Sequence, residues 1–227
     1  MKMLNMILNR LFGRWFNIRK DSHSGFFIGL YRRNETFLLL SAVILLGSMV
    51  IGYILSGLLD PILGGVFEGF RKSVTEGTLQ LTTLSIFFNN FKVAIVLYAM
   101  GFSLGVFSAY YLFFNGIFTG YVASKYYLPT FLIYTIPHGI FEVTAIIIAG
   151  AAGFRLASGF FNFLKGISKM NDRIPIRSQL GYLVEANSDE FKDSLKLFII
   201  AVVILFIAAI IEANFTIPLG NYIRGIT

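Results

Sequence analysis

Cysteine is absent from the 227 residues, which excludes disulfides, thiolate metal centres and cysteine nucleophiles together. Charge is scarce as well. Asp, Glu, Lys and Arg make up 14% of the chain, against about 25% in an ordinary soluble domain. So few charged side chains cannot coat a water-facing globule of this size, which argues against disorder, a secreted miniprotein and an ordinary cytosolic enzyme. What the chain has instead is apolar surface: 56% hydrophobic residues, including 25 Phe and 11 Tyr. That composition belongs to an all-α, polytopic transmembrane helical bundle. The net charge of +7 does not signal nucleic acid, because Lys and Arg sit between apolar runs and form no basic stripe with interleaved aromatics.

Phe37 to Leu59 carries no charge between Glu35 and Asp60, and at ~1.5 Å per residue it crosses a ~30 Å hydrocarbon layer. Val93 to Ser124 is also uncharged; at ~48 Å it is too long for one upright crossing and too short for two full ones. Thr130 to Phe154 contains one acidic residue, Glu142, and one histidine, His138, and no Lys or Arg, and Leu195 to Phe215 holds Glu212 near its end. Lys196 reaches the nearby interface by snorkelling.

Basic residues set the orientation. Residues 1–36 contain Lys2, Arg10, Arg14, Arg19, Lys20, Arg32 and Arg33 against Asp21 and Glu35, and the stretch from Arg155 to Ser194 is also base-rich. Placing both on the cytoplasmic side requires an odd number of crossings between residues 91 and 154. The prediction is five spans near 37–59, 91–112, 116–128, 130–154 and 195–215, with turns near Asn115-Gly116 and around Lys125 to Pro129. The transmembrane domain is thus 36–227, with an outside loop 60–90 and a cytoplasmic segment 155–194. The protein is expected in the cell membrane as a multi-pass protein, N-terminus cytoplasmic and C-terminus outside. The alternative has four spans, with one long tilted helix through 93–124.

Residues 1–35 form a cytoplasmic segment. Leu4, Ile7, Leu8, Leu11, Phe12, Trp15 and Ile18 recur at helical spacing with Lys2, Arg10, Arg14 and Asn17 elsewhere on the wheel, and Asn5, Asn9, Arg10 and Arg14 interrupt any signal-peptide core. This is an amphipathic helix lying in the lipid interface, with Arg10, Arg14, Trp15, Arg19 and Lys20 against anionic lipid, or packed on the other cytoplasmic segment. In the 60–90 loop Ile62, Val66, Phe70 and Val74 recur every four residues and predict a surface-lying helix. On the cytoplasmic side, Phe160 to Lys165 reads as amphipathic and interfacial, a turn follows around Asp172 to Pro175, and Asn187 with Asp189 and Glu190 predicts an N-cap launching the last span.

The chemistry concentrates in Pro137-His138-Gly139-Ile140-Phe141-Glu142. Pro137 and Gly139 predict a helix start or break within the membrane. His138 and Glu142 lie four apart on one face, and Glu142 falls near mid-depth, where an ionised group costs at least ~2.5–3.5 kcal/mol. Such a carboxylate needs a partner, a water-filled cavity or a proton. The five-span arrangement brings Asn89, Asn90, His138, Glu212 and Asn214 to outer depth, and Asn115, at the turn between two spans, is counted with this polar site. The pattern supports either an intramembrane polar site or an interhelical hydrogen-bond tie. One helical His with a Glu is short of the three or four ligands a zinc site uses, so no metal and no cofactor is expected. No catalytic residue is assigned either.

Gly101 and Gly105, Gly116 and Gly120, and Ala149 with Gly153 have the four-residue spacing that lets helix backbones approach closely, within one bundle or across a homodimer seam.

Taken in order, Asn89-Asn90-Phe91-Lys92-Val93-Ala94, Phe113-Phe114-Asn115-Gly116 with Gly120, Pro137-His138-Gly139-Ile140-Phe141-Glu142, and Ile211-Glu212-Ala213-Asn214-Phe215 with Pro218 resemble the stage II sporulation protein M family, in the form of its archaeal or non-sporulation members. The resemblance spans about residues 37–220 and implies a multi-span membrane protein. Its namesake works in a membrane complex with peptidoglycan-degrading partners, a role that nothing in these residues carries over. The leading expectation is a membrane scaffold without catalytic activity, organising membrane-protein partners or a homodimer, in which His138, Glu142 and Glu212 fix the bundle. The alternatives are a small transporter or channel using those residues and an intramembrane enzyme.

Overall fold

The structure is a computed structural model that describes residues 25–76, 82–171 and 174–225. Those residues are almost entirely helical and contain no strand. The elements are α1 (Phe26–Ile54), α2 (Ser56–Thr75), α3 (Thr83–Ala99) followed by a 3-10 turn (Met100–Ser103), α4 (Val106–Ser124), α5 (Leu128–Ile167), α6 (Ile176–Ala186), α7 (Ser188–Ile211), a π-helical segment (Glu212–Thr216) and α8 (Ile217–Ile223). Five stretches are long and apolar enough to cross a membrane: Phe26–Ile54, Thr83–Ser103, Val106–Ser124, Leu128–Ile167 and Ser188–Ile223. The interfacial helix expected around Arg10, Arg14, Trp15, Arg19 and Lys20 lies outside the described residues, as does the turn at Asp172.

The spanning helices carry apolar residues on every face, so polarity alone does not set which face is buried. The buried face of α1 reads Leu30, Asn34, Phe37, Ser41, Leu45, Ser48 and Gly52, while Leu39, Val43, Leu46, Val50 and Ile54 remain exposed. Small and polar residues thus share the inward face with Leu and Phe while branched apolar residues point outward, which suits a lipid surround, where close packing and interhelical hydrogen bonds replace the hydrophobic effect. α1 packs chiefly on α4, and α5 on α7. From Ala145 to Gly159, rich in Ala and Gly, α5 is buried on most sides and forms the centre of the bundle. A core of Phe37, Leu45, Ala94, Leu97, Leu112, Ala145, Ala149, Ala201 and Leu205 joins α1, α3, α4, α5 and α7.

The long uncharged run through Val93 to Ser124 is two helices, and its turn lies elsewhere than expected. Asn115 and Gly116 are inside α4. The chain reverses at Leu104 (φ 59°) and Gly105 (φ 80°), two successive left-handed residues after the 3-10 turn. Gly105 supplies the conformation that other residues resist. Two full crossings fit because α3 starts ten residues ahead of Val93, at Thr83, and takes in Lys92, whose side chain is exposed and long enough to snorkel. The absence of charge was therefore too strict a criterion for a span.

Two further expectations are corrected. Pro137 and Gly139 do not break the helix, since α5 runs unbroken from Leu128 to Ile167; freed backbone groups inside a bundle find other partners. The 60–90 segment holds the expected helix, α2, with Ile62, Val66 and Phe70 exposed, while Leu63 and Phe67 pack against Ile117 and Tyr121. Asn187 does not cap α7 with its side chain; its Nδ2 donates to the Leu183 carbonyl at 2.7 Å and closes α6 instead.

The glycines pack within the chain. A Cβ at Gly116 would strike Ser48 and the Leu45 carbonyl, and one at Gly120 the backbone of Met49; Gly101 and Gly153 oppose each other where the α3 turn crosses α5. Gly105 lies against Phe154 and Ala157.

Candidate functional site

His138 and Glu142 occupy successive turns of α5, and Glu212 is the first residue of the π-helical segment. One ligand atom from each of the three lies within 4.8 Å of the others, and all three residues are half-buried. The π segment accounts for the position of Glu212. Pro218 has no N–H to offer the carbonyl four residues back, and its ring crowds that carbonyl, so the ladder widens just ahead of it. Glu212 and Thr216 both come from this widened stretch.

Two members of the cluster, Glu142 and His138, have an anchor outside it. Asn90 of α3 donates its Nδ2 proton to Oε1 of Glu142. His138 Nδ1 lies 3.0 Å from the Thr216 hydroxyl, and that hydroxyl faces the Ile211 carbonyl at 3.4 Å. With the hydroxyl proton donated to Ile211, Nδ1–H donates to Thr216 and Nε2 keeps its lone pair. A little farther along, Tyr134 donates to Asn221 at 2.8 Å and ties α5 to α8.

Glu142 also faces a cavity of about 140 Å³. Its polar lining is Asn90, Asn115, Thr119 and Glu142; Leu45, Met49, Val93, Val143 and Ile146 complete it. Asn115 thus contributes to a wall from mid-helix. The volume is enough for several waters, and Glu142 belongs both to this lining and to the cluster with His138 and Glu212.

Asn89 and Asn214 stand apart. Both are exposed, and the Asn214 amide donates back to the Ile210 carbonyl at 2.8 Å. Thr216 and Thr119 were not singled out from the sequence, where isolated threonines in apolar runs carry no signal. The alternation of the five spans places Asn90, His138, Glu142 and Glu212 toward the same end of the bundle.

Two charged clusters mark the bundle ends. At the end nearer the site, Asp60 accepts from the Tyr121 hydroxyl at 2.6 Å and from Lys125, and Lys125 sits 4.5 Å over the Tyr121 ring. Lys125, then Tyr121, hold the Asp60 carboxyl below its ordinary value, and Asp60 holds the Lys125 ammonium above its own. At the far end Arg33 grips Asp193 with two bonds, at 2.6 and 3.0 Å. Arg155, 2% exposed, lies 5.8 Å over Phe37, with Nε and Nη2 lacking hydrogen-bond partners among the described residues.

Comparison with known proteins agrees with this layout. The family model described as Stage II sporulation protein M matches residues 36–217. An uncharacterized protein of Methanocaldococcus jannaschii is 28% identical over 198 residues, covering 83% of this chain and 85% of its own. A second uncharacterized protein of that organism is 30% identical over 155 residues, or 64% of this chain and 76% of its own. No solved structure matches the chain.

Proposed function

The chain belongs to the stage II sporulation protein M family, and from that premise we propose that it is a small cation transporter whose binding site is His138, Glu142 and Glu212. The observation that carries this reading is the convergence of two carboxylates and an imidazole from two spans beside a polar cavity. Two carboxylates this close in an apolar surround need a shared proton or a cation between them. A bundle that needed only fixing could use uncharged ties, of the kind Ser108 makes to the Leu97 carbonyl at 2.9 Å and Ser194 to the Ala152 carbonyl at 3.0 Å.

The test is cation uptake into proteoliposomes. Wild-type protein is expected to carry a cation down its gradient, and Glu142→Gln to remain folded and carry none. Absence of flux for every mono- and divalent cation tried would sink the transporter reading.

A second reading, a membrane scaffold, draws support from α6. Ile176, Tyr182 and Val184 are exposed on this short helix, and it borders a groove with Met170, Ile174 and Leu183 suited to a partner's apolar side chain. Under that reading Tyr182→Asp releases partners while Glu142→Gln does not. Homodimer assembly belongs to the same reading and uses a face other than the glycine seams, which are filled within the chain. An intramembrane enzyme is the reading the site supports least, since the groups gathered around His138 and Glu142 are a second carboxylate, an amide and a threonine engaged as a hydrogen-bond partner.

A further inference from the structure

We propose that the cation held by His138, Glu142 and Glu212 is a divalent first-row transition metal such as Mn²⁺, Fe²⁺, Co²⁺ or Zn²⁺. This rests on the cation-site reading above and names its ligand class. Three features carry it.

The first is charge. Two carboxylates and a neutral imidazole around a divalent ion sum to zero, which is the total an apolar interior tolerates best. A monovalent ion leaves one carboxylate to be neutralised by a proton, and an empty site leaves both to share or take up protons.

Donor chemistry is the second. Carboxylate oxygens alone suit Mg²⁺, Ca²⁺ and Mn²⁺, whereas imidazole shifts preference toward Fe²⁺, Co²⁺, Ni²⁺ and Zn²⁺; without a thiolate or thioether the set does not suit Cu⁺. Thr216 meets the requirement that a ligating histidine have its other nitrogen held, which leaves Nε2 as the basic nitrogen. Thr216 is a positioning residue, itself buried at 6% exposure.

Geometry is the third. Ligands at ~2.1 Å from one metal stand ~3.4 Å apart in a tetrahedron and ~4.2 Å apart across an octahedron. The observed separations, up to 4.8 Å, close to those values with side-chain movements of about an ångström. Glu142 opens onto the cavity lined by Asn115 and Thr119, which has room for the waters that would complete an open coordination shell. The scarcity of ligands noted in the sequence is thereby resolved, because Glu212, 74 positions from His138 in the chain, supplies the third donor.

The test is Co²⁺ titration of the full-length protein in detergent, read by calorimetry and by the visible d–d bands that report coordination. The expected result is one Co²⁺ per chain, not displaced by a hundredfold excess of Mg²⁺. Glu142→Gln, Glu212→Gln and His138→Gln should each weaken binding at least tenfold, and Thr216→Val roughly 10–100-fold with a shift of the bands. Should a ligand variant fail to fold, Thr216→Val and the Mg²⁺ competition still decide. The inference is overturned if folded wild-type protein binds no Co²⁺, if equimolar Mg²⁺ displaces it, or if the four variants bind it as wild type does. Bound Co²⁺ without flux removes the transporter reading alone, and flux of a monovalent cation without Co²⁺ binding removes the metal alone.

Discussion

Asn90 gives its amide proton to Glu142 across the seam between α3 and α5, while Asn89, its neighbour in sequence, faces outward and is exposed. The pair provides an internal control. Asn90→Leu removes the donor that orients the carboxylate and should cut cation uptake at least tenfold in proteoliposomes, because charge-assisted hydrogen bonds contribute roughly 1.5–3 kcal/mol. Asn89→Leu should leave uptake unchanged, and equal effects of the two would contradict this arrangement of α3.

Close packing of α1 on α4 predicts an asymmetric response to bulk. Gly116→Leu drives a side chain into Ser48 and the Leu45 carbonyl and should destabilise the protein by roughly 1–3 kcal/mol or more. Gly47, with nothing near its would-be Cβ, should accept Leu with little change. Thermal unfolding in detergent, followed by size-exclusion chromatography, measures both.

The Asp60–Lys125 contact predicts a pH dependence. The folded-state value of Asp60 lies below its unfolded one, so its contribution is present above the ordinary carboxylate range and is lost as pH falls through the folded value. Lys125 is raised, so its contribution is present below the ordinary lysine value and disappears as pH climbs past the folded one. Thermal stability should therefore show an acid limb that Asp60→Asn abolishes. An identical acid limb in that variant would assign it to other carboxylates.

At the opposite end, Asp193→Ala strands Arg33 and removes an opposite charge from the vicinity of Arg155. Breaking a buried pair costs about 3–5 kcal/mol, and the 24% exposure of the Arg33 side chain lowers the expectation toward the bottom of that range. The double replacement Arg33→Met with Asp193→Leu should be less damaging than Asp193→Ala. Chemical denaturation in micelles separates these outcomes, and a double variant worse than the single would contradict the account.

Much of this architecture was legible in the residue order. Apolar runs and the distribution of bases yield five spans, and the placement of His138, Glu142 and Glu212 toward one end of the bundle follows from counting along them. Side-chain direction was less accessible. Spans that are apolar all round carry no stripe to show which face turns inward, so Asn89 and Asn90 cannot be told apart. The position of the turn was hidden for a related reason: Asn115-Gly116 has turn chemistry, yet Gly116 serves close approach to α1 and Gly105 makes the reversal. The π segment at Glu212 was hidden too, although Pro218 was its one available sign. Thr216 became visible only once that segment had brought it to His138.

The central claim is that Glu142 and Glu212 act as one cation site. A double-mutant cycle on cation uptake rate in proteoliposomes tests it most directly, using wild type, Glu142→Gln, Glu212→Gln and the double variant at equal reconstituted amounts. One shared site predicts that each single change abolishes uptake and that the double is no worse than either. Singles that keep the wild-type rate, or partial losses that multiply in the double, would contradict it.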